Sequence, residues 1–240
     1  MFTQDDLCLK SAYNFIYKNK INPIPVIIDV GYNRGEFLAD AYSVLGSELE
    51  FFAFEPNKNV KDPNIENVYL FNIALGDTEK KGTLYVPYEF KEKDNISRLA
   101  SLYKRPIFEK ITNCELQMMD VEITTLDIFV QEHSIQYIDY LKIDTEGHEI
   151  NVLKGAETMF RLGKVSAGQF EYGDCFKEQN YTIEDAVLWL KSNNYTCFLG
   201  EIQKENILSV ENASAIIKQR SIDLWENILF INNNNKTWDL

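Results

Sequence analysis

Residues 24–45 change their hydrophobic period once, and abruptly. IPVIIDVG is a short, β-branched apolar run with the composition of a strand buried on both faces. RGEFLADAYSVL then carries Phe37, Leu38, Ala41 and Leu45 at helical spacing. Between them lies Asp29-Val30-Gly31-Tyr32-Asn33-Arg34-Gly35. A strand that passes into a helix through a glycine turn leaves that helix lying on a face of a sheet. The next strand then runs parallel to the first.

The rest of the chain repeats this alternation. ELEFFAFEP and NVYLFNIALGD read as the second and third strands, and GTLYVPY and LQMMDVEIT as further short ones. Thr125 has the composition of an N-cap, and QYIDYLKID is another buried strand. HEINVLKGAETMF reads as one helix after the turn Thr145-Glu146-Gly147. KVSAGQFEY, NYTCFLG and WENILFINN are three more strands, with helices expected over 182–192 and 204–219. The pattern predicts one α/β domain over 1–240, with a mainly parallel sheet and helices on both faces. Residues 1–22 are expected to hold an N-terminal helix, 88–117 a loop or lid, and 232–240 a frayed tail.

Composition narrows the function classes. A net charge of −13 disfavours a phosphate backbone as partner, so no nucleic acid is expected. Arg98 to Lys110, with Lys104 and Arg105, is the nearest basic stretch, and a solvated loop is the expectation there, with a substrate groove as the alternative. The cysteines at 8, 114, 175 and 197 form no C-x-x-C pair, so reduced, buried thiols are expected. The opening residues lack an apolar core like that of a signal peptide, and no apolar run is long enough for a membrane span. A cytoplasmic location is the resulting expectation.

Ligands of such sheets sit beyond the carboxyl ends of the central strands, where three groups of residues fall. Gly31 and Gly35 let backbone approach a ligand closely, and Asn33 tolerates left-handed angles. The middle glycine of a dinucleotide fingerprint is missing, which weighs against a nicotinamide oxidoreductase. Glu55 ends the second strand, where a carboxylate can accept both hydroxyls of a ribose. Asp144, Glu146 and His148 gather at the end of a third strand. There His148 is a candidate general base toward a hydroxyl, and Asp144 with Glu146 could orient it or hold a hard divalent cation. Lys142 is expected to pair with a carboxylate such as Glu171. His133 reads as structural, and with only two histidines a His-rich metal site is excluded.

The strings VIIDVGYNRGEF, FFAFEPN, VYLFNIALGD, TTLD and YLKIDTEGHEINVLKGA occur in this order. Together they resemble the FkbM-type methyltransferases over about residues 24–172. The resemblance implies a Rossmann-like class I methyltransferase fold with a seven-stranded sheet. It implies S-adenosyl-L-methionine as methyl donor, S-adenosyl-L-homocysteine as product, and methyl transfer to a hydroxyl of a sugar, glycan or related metabolite. On that pattern Asp29, Gly31, Asn33 and Gly35 would hold the methionine end and Glu55 the ribose. Asn72, Ile73, Ala74 and Leu75 would lie by the adenine, with Asp144, Glu146 and His148 facing the methyl and the acceptor. Tyr32 stands where the family has a small residue, and is expected to narrow the cofactor mouth. A divalent metal is compatible with the acids but not called for. A catalytically silent binding module is the other reading.

Overall fold

The computed structural model describes residues 8–13, 16, 23–88, 99–105, 115–220 and 225–235. Its centre is an eight-stranded sheet of order β10-β9-β11-β8-β7-β1-β2-β3. The strands are β1 (Val26–Val30), β2 (Glu50–Phe54), β3 (Val68–Phe71), β7 (Ile138–Ile143), β8 (Val165–Gly173), β9 (Tyr195–Leu199), β10 (Ile207–Leu208) and β11 (Trp225–Asn232). From β3 through β8 neighbouring strands are parallel, and β11 is antiparallel to both β8 and β9. The expected seven strands become eight because Ile207–Leu208 pairs antiparallel with β9. That dipeptide lies inside the stretch expected to be a helix over 204–219. Only Ala213–Arg220 of it is α-helix, because Asn212 accepts from Ser209 N–H and donates to Ile207 O, turning the chain before the helix starts.

Alternation along the central strands explains their unbroken apolar composition. Ile28, Val30, Phe52, Phe54, Leu141 and Ile143 enter one core, and Ile27, Phe51, Ala53 and Tyr140 enter the other. Helix α1 (Glu36–Leu45) lays Phe37, Leu38, Ala41 and Leu45 on the second core. Helix α2 (Leu126–Glu132) adds Leu126, Phe129 and Val130 to the first. Thr125 caps α2 by accepting from Ile128 N–H at 3.2 Å. His133 ends α2 with its ring stacked on Phe129, a structural position.

Two expected single elements are split. NVYLFNIALGD divides into β3 and β4 (Ala74–Leu75), and β4 joins a second sheet of order β4-β6-β5 with β5 (Lys80–Tyr88) and β6 (Glu115–Thr124). HEINVLKGAETMF divides into α3 (Glu149–Lys154) and α4 (Glu157–Arg161). The break falls at Gly155, which sits so close to the carbonyl of Gly76 that a side chain has no room. Asp127 then accepts from the N–H groups of Thr158 and Met159 and starts α4. Helices α5 (Asp174–Glu178), α6 (Ile183–Ser192) and α7 (Ala213–Arg220) follow.

Of the expected tail, Asn233–Asn235 is an ordered helical turn tied to Asn194; 236–240 lies outside the described residues. So do residues 1–7 of the N-terminal helix, Cys114, and most of the 88–117 loop; residues 8–13 are helical. The described cysteines, Cys8, Cys175 and Cys197, are buried thiols. No helix among the described residues is long and apolar enough to cross a membrane.

Candidate active site

The chain leaves β1 for β2 on one side and returns through β7 on the other, so a crevice opens at the carboxyl ends of β1 and β7. The glycine turn follows β1. Gly31 (φ 92°), Asn33 (φ 49°) and Gly35 (φ 83°) take left-handed backbone, which glycine and asparagine tolerate best. The N–H groups of Gly31 and Tyr32 donate to Phe54 O at 2.9 and 3.1 Å, fastening the turn to the end of β2.

Glu55 completes that fastening. One carboxylate oxygen accepts from Asn33 N–H at 2.9 Å and the other from Asn57 N–H at 2.8 Å. Burial raises its pKa, and those two N–H groups oppose the rise. The Asn72 amide donates to Glu55 O at 3.1 Å, drawing the β3–β4 link to the same place. On the other side Asp144 N–H donates to Val30 O at 2.8 Å. The segments around Gly31, Glu55, Ile73 and Asp144 therefore converge.

They enclose a cavity of about 390 Å³. Gly31, Tyr32, Asn33, Glu55, Ile73 and Ala74 line it, as do Asp144, Glu146 and His148. Asn72 and Gly35 do not; Asn72 acts through Glu55, and Gly35 lies under the Tyr32 ring, where a β-carbon would come within 2.5 Å of the hydroxyl. Tyr32 is 5% exposed and set edge-on to Phe51. Its ring is thus largely a core side chain, and the expected narrowing reduces to the edge that reaches the wall. The wall near Ile73 is apolar, with Leu75, Leu84, Leu99, Ala100 and Leu102. A flat apolar ring fits this side, and hydrogen-bonding groups fit the Glu55 and Asp144 sides.

Asp29 does not reach the cavity. It is fully buried and paired with Lys142 Nζ at 3.2 Å. Lys142 also reaches Asp144 at 3.3 Å and donates to Gly31 O at 3.2 Å. The expected pairing with Glu171 is corrected accordingly: Asp29 lies beside Lys142 in the β1–β7 register and takes the ammonium first.

The turn after β7 is the acidic wall. Glu149 is wholly buried and accepts from Thr145 N–H, Thr145 Oγ1 and Gly147 N–H at 2.9–3.1 Å, so it shapes the turn from within. Glu146 has φ 56°, an uncommon value for a residue with a side chain. Burial and the nearby Asp144 push its carboxyl up to about 7, against the pull of Arg105. Burial, together with Asp144 and Glu146, also holds the Glu171 carboxyl well above the usual range. His148 is 3% exposed, and burial lowers its pKa to about 4, so the ring is neutral near pH 7. Its Nδ1 lies 3.0 Å from the Tyr103 hydroxyl, and its Nε2 is buried with no hydrogen-bond partner among the described residues.

The carboxylates of Asp144, Glu146 and Glu171 have oxygens within 4.8 Å of one another, so a hard cation could fit among them. Lys142 and Arg105 already bring positive charge to two of the three. Sequence reasoning placed residues 99–105 in a solvated loop or lid and gave none of them a role in the site. Arg105, expected in a solvated loop, is 8% exposed and paired with Glu146 at 2.8 Å and Glu178 at 3.4 Å. No local pattern announces such long-range contacts. Glu149 had a signal, an acid in the first turn of a helix.

Comparison with known proteins adds three findings. The family described as the methyltransferase FkbM domain matches residues 29–197. Two solved structures of the plantazolicin methyltransferase BpumL are similar. The complex with SAH is 11% identical with a TM-score of 0.46, over 95% of this chain and 83% of that one. The complex with a monoazolic desmethylPZN analog and SAH is 10% identical with a TM-score of 0.43, over 96% and 83%. No curated protein matches.

Proposed function

The chain belongs to the FkbM methyltransferase family, and from that premise we propose that it transfers a methyl group from S-adenosylmethionine to a hydroxyl of a sugar, glycan or related small metabolite. The observation that carries this reading is the convergence of the glycine turn, Glu55 and the Asp144–His148 turn on one cavity. Gly31 supports a shared wall for one ligand, since its backbone lies against Asp144 O with no space for a β-carbon and so holds the two turns together. Glu55 supports a ribose, since each carboxylate oxygen keeps a free lone pair after its backbone hydrogen bond. The apolar wall beside Ile73 and Leu102 suits adenine.

When bound, the cofactor supplies an electrophilic methyl on a sulfonium sulfur. The protein must align an acceptor oxygen in line with it, exclude water, and take the hydroxyl proton as the new C–O bond forms. We assign the proton to Glu146. A base works best with a pKa near the working pH, and Glu146 at about 7 meets that condition. His148 suits the role less well, because burial resists the charge that protonation would create.

The family match displaces the nicotinamide reading that Glu55 alone permits. Calorimetry with S-adenosylhomocysteine, followed by its release from S-adenosylmethionine in the presence of a hydroxylated acceptor panel, tests the proposal. Binding of S-adenosylhomocysteine, release that depends on an acceptor, and loss of that release in Glu146→Gln are expected. Binding of NAD in its place, or full release by Glu146→Gln, would overturn the reading or its base.

A further inference from the structure

Residues 99–105 contribute to the cavity wall and are fastened at Ser101, Tyr103 and Arg105. Ser101 pairs with Tyr85 through two backbone hydrogen bonds, 2.8 and 3.1 Å. Leu99, Ala100 and Leu102 form part of the cavity wall. Other residues of this strap reach the acidic turn. Ser101 Oγ donates to Glu146 O at 2.8 Å, Tyr103 meets His148 and Asn151, and Arg105 donates to Glu146 Oε2 at 2.8 Å.

The contacts of Glu146 are unevenly divided between its two oxygens. Oε2 takes Arg105 and also Cys175 Sγ at 3.4 Å. No described residue hydrogen-bonds Oε1. Arg105 is itself held from behind by Glu178. The left-handed backbone of Glu146 is kept in place by the Ser101 and Arg105 contacts together.

We propose that Arg105 is the positioning residue of Glu146: by fixing Oε2 it leaves Oε1 as the proton-accepting oxygen, so the strap that lines the cavity also readies the base. This rests on Glu146 as proton acceptor in the proposed methyl transfer. The groups facing Glu146 are Asp144 from the end of β7, Glu149 from α3, Glu171 from β8, Cys175 and Glu178 from α5, and Arg105 from the strap. Arg105 is the cation in direct contact with Glu146, while Lys142 from β7 pairs with Asp144 of the same set. Without it, the acids raise the proton affinity of Glu146 and the carboxylate loses its orientation.

The test is a titration of Glu146 by carbon NMR of side-chain-labelled glutamate in protein saturated with S-adenosylhomocysteine. The signal is assigned by its absence in Glu146→Gln. A midpoint near 7 is expected for the native chain. Arg105→Gln should raise it by about one pH unit or more, and Arg105→Lys should largely restore it. Affinity for S-adenosylhomocysteine should be unchanged in both. An unmoved midpoint in Arg105→Gln overturns the proposal. If Arg105→Gln does not fold, Glu178→Gln serves, since it leaves Arg105 to Glu146 alone; its midpoint should fall, and a constant or higher one overturns the proposal. Full methyl transfer by Glu146→Gln would end the parent reading instead, whatever the titration shows.

Discussion

The backbone of Gly31 rests directly against the carbonyl oxygen of Asp144, with no room for a β-carbon between them. Two turns distant in sequence are thereby locked into one wall of the cavity. Gly31 also has φ 92°, so alanine there meets both a strained backbone and an occupied space. Gly31→Ala should cost about 3 kcal/mol or more and abolish binding of S-adenosylhomocysteine. Gly46 is the control, with φ 82° and open space around it. Gly46→Ala should cost about 1–3 kcal/mol, from its φ 82°, ψ 179° backbone alone, and leave binding intact. Urea unfolding and calorimetry on the pair would settle whether the close approach, rather than the backbone angle alone, matters.

Glu55 joins the glycine turn to the end of β2 through its two oxygens. Glu55→Gln must turn an N–H toward Asn33 or Asn57, both of which are donors. We expect S-adenosylhomocysteine affinity to fall by about 100-fold, near 3 kcal/mol, with a smaller loss of stability. Near-native affinity in this variant would remove Glu55 from the binding site.

His148 makes a prediction about pH. Its pKa is lowered from the ordinary 6.5 to about 4 by burial. The unfolded chain therefore binds its proton first as pH falls. The stability this contributes is complete above 6.5, declines as pH drops through the interval, and is gone below about 4. Glu146 has the opposite sign, since its raised pKa favours the folded state below 4.5 and that contribution is lost by about 7. The two overlap, so the difference between chains is the measurement. Relative to His148→Gln, the native protein should lose about 3 kcal/mol more between pH 7 and pH 4. Parallel urea curves at all pH values would show that His148 is not buried neutral.

Why some of this was legible and some not has a physical basis. The β1 turn and α1 were readable because period, glycines and apolar stripe are all local. Glu55 was readable because it closes a strand at a fixed distance from the turn. The division of Val68–Leu75 into two sheets was not, since it depends on the Asn72 amide reaching Glu55 O. The break at Gly155 depends on Gly76, far away in sequence. Arg105 looked like one basic residue in a polar loop, and only the folded chain sets it between Glu146 and Glu178.

Lys142 shows how strongly the site depends on one buried charge. It is 4% exposed, and its ammonium lies between Asp29, Asp144 and Gly31 O. Removing it leaves Asp29, which is wholly buried, facing an apolar side chain. Lys142→Met should destabilise the fold by about 3 kcal/mol, most of it from losing the ammonium beside the buried Asp29 carboxylate. If that cause is right, Asp29→Asn in the same chain should recover a substantial part of the loss, although two substitutions are then present. Binding of S-adenosylhomocysteine should stay impaired in the double variant, because the Gly31 and Asp144 turns have still lost the group that bridges them. The measurement is urea unfolding of both single variants and the double variant. Additive losses with no recovery would show that Lys142 acts by packing over the Phe37 ring, 5.8 Å from its ammonium, and not by charge.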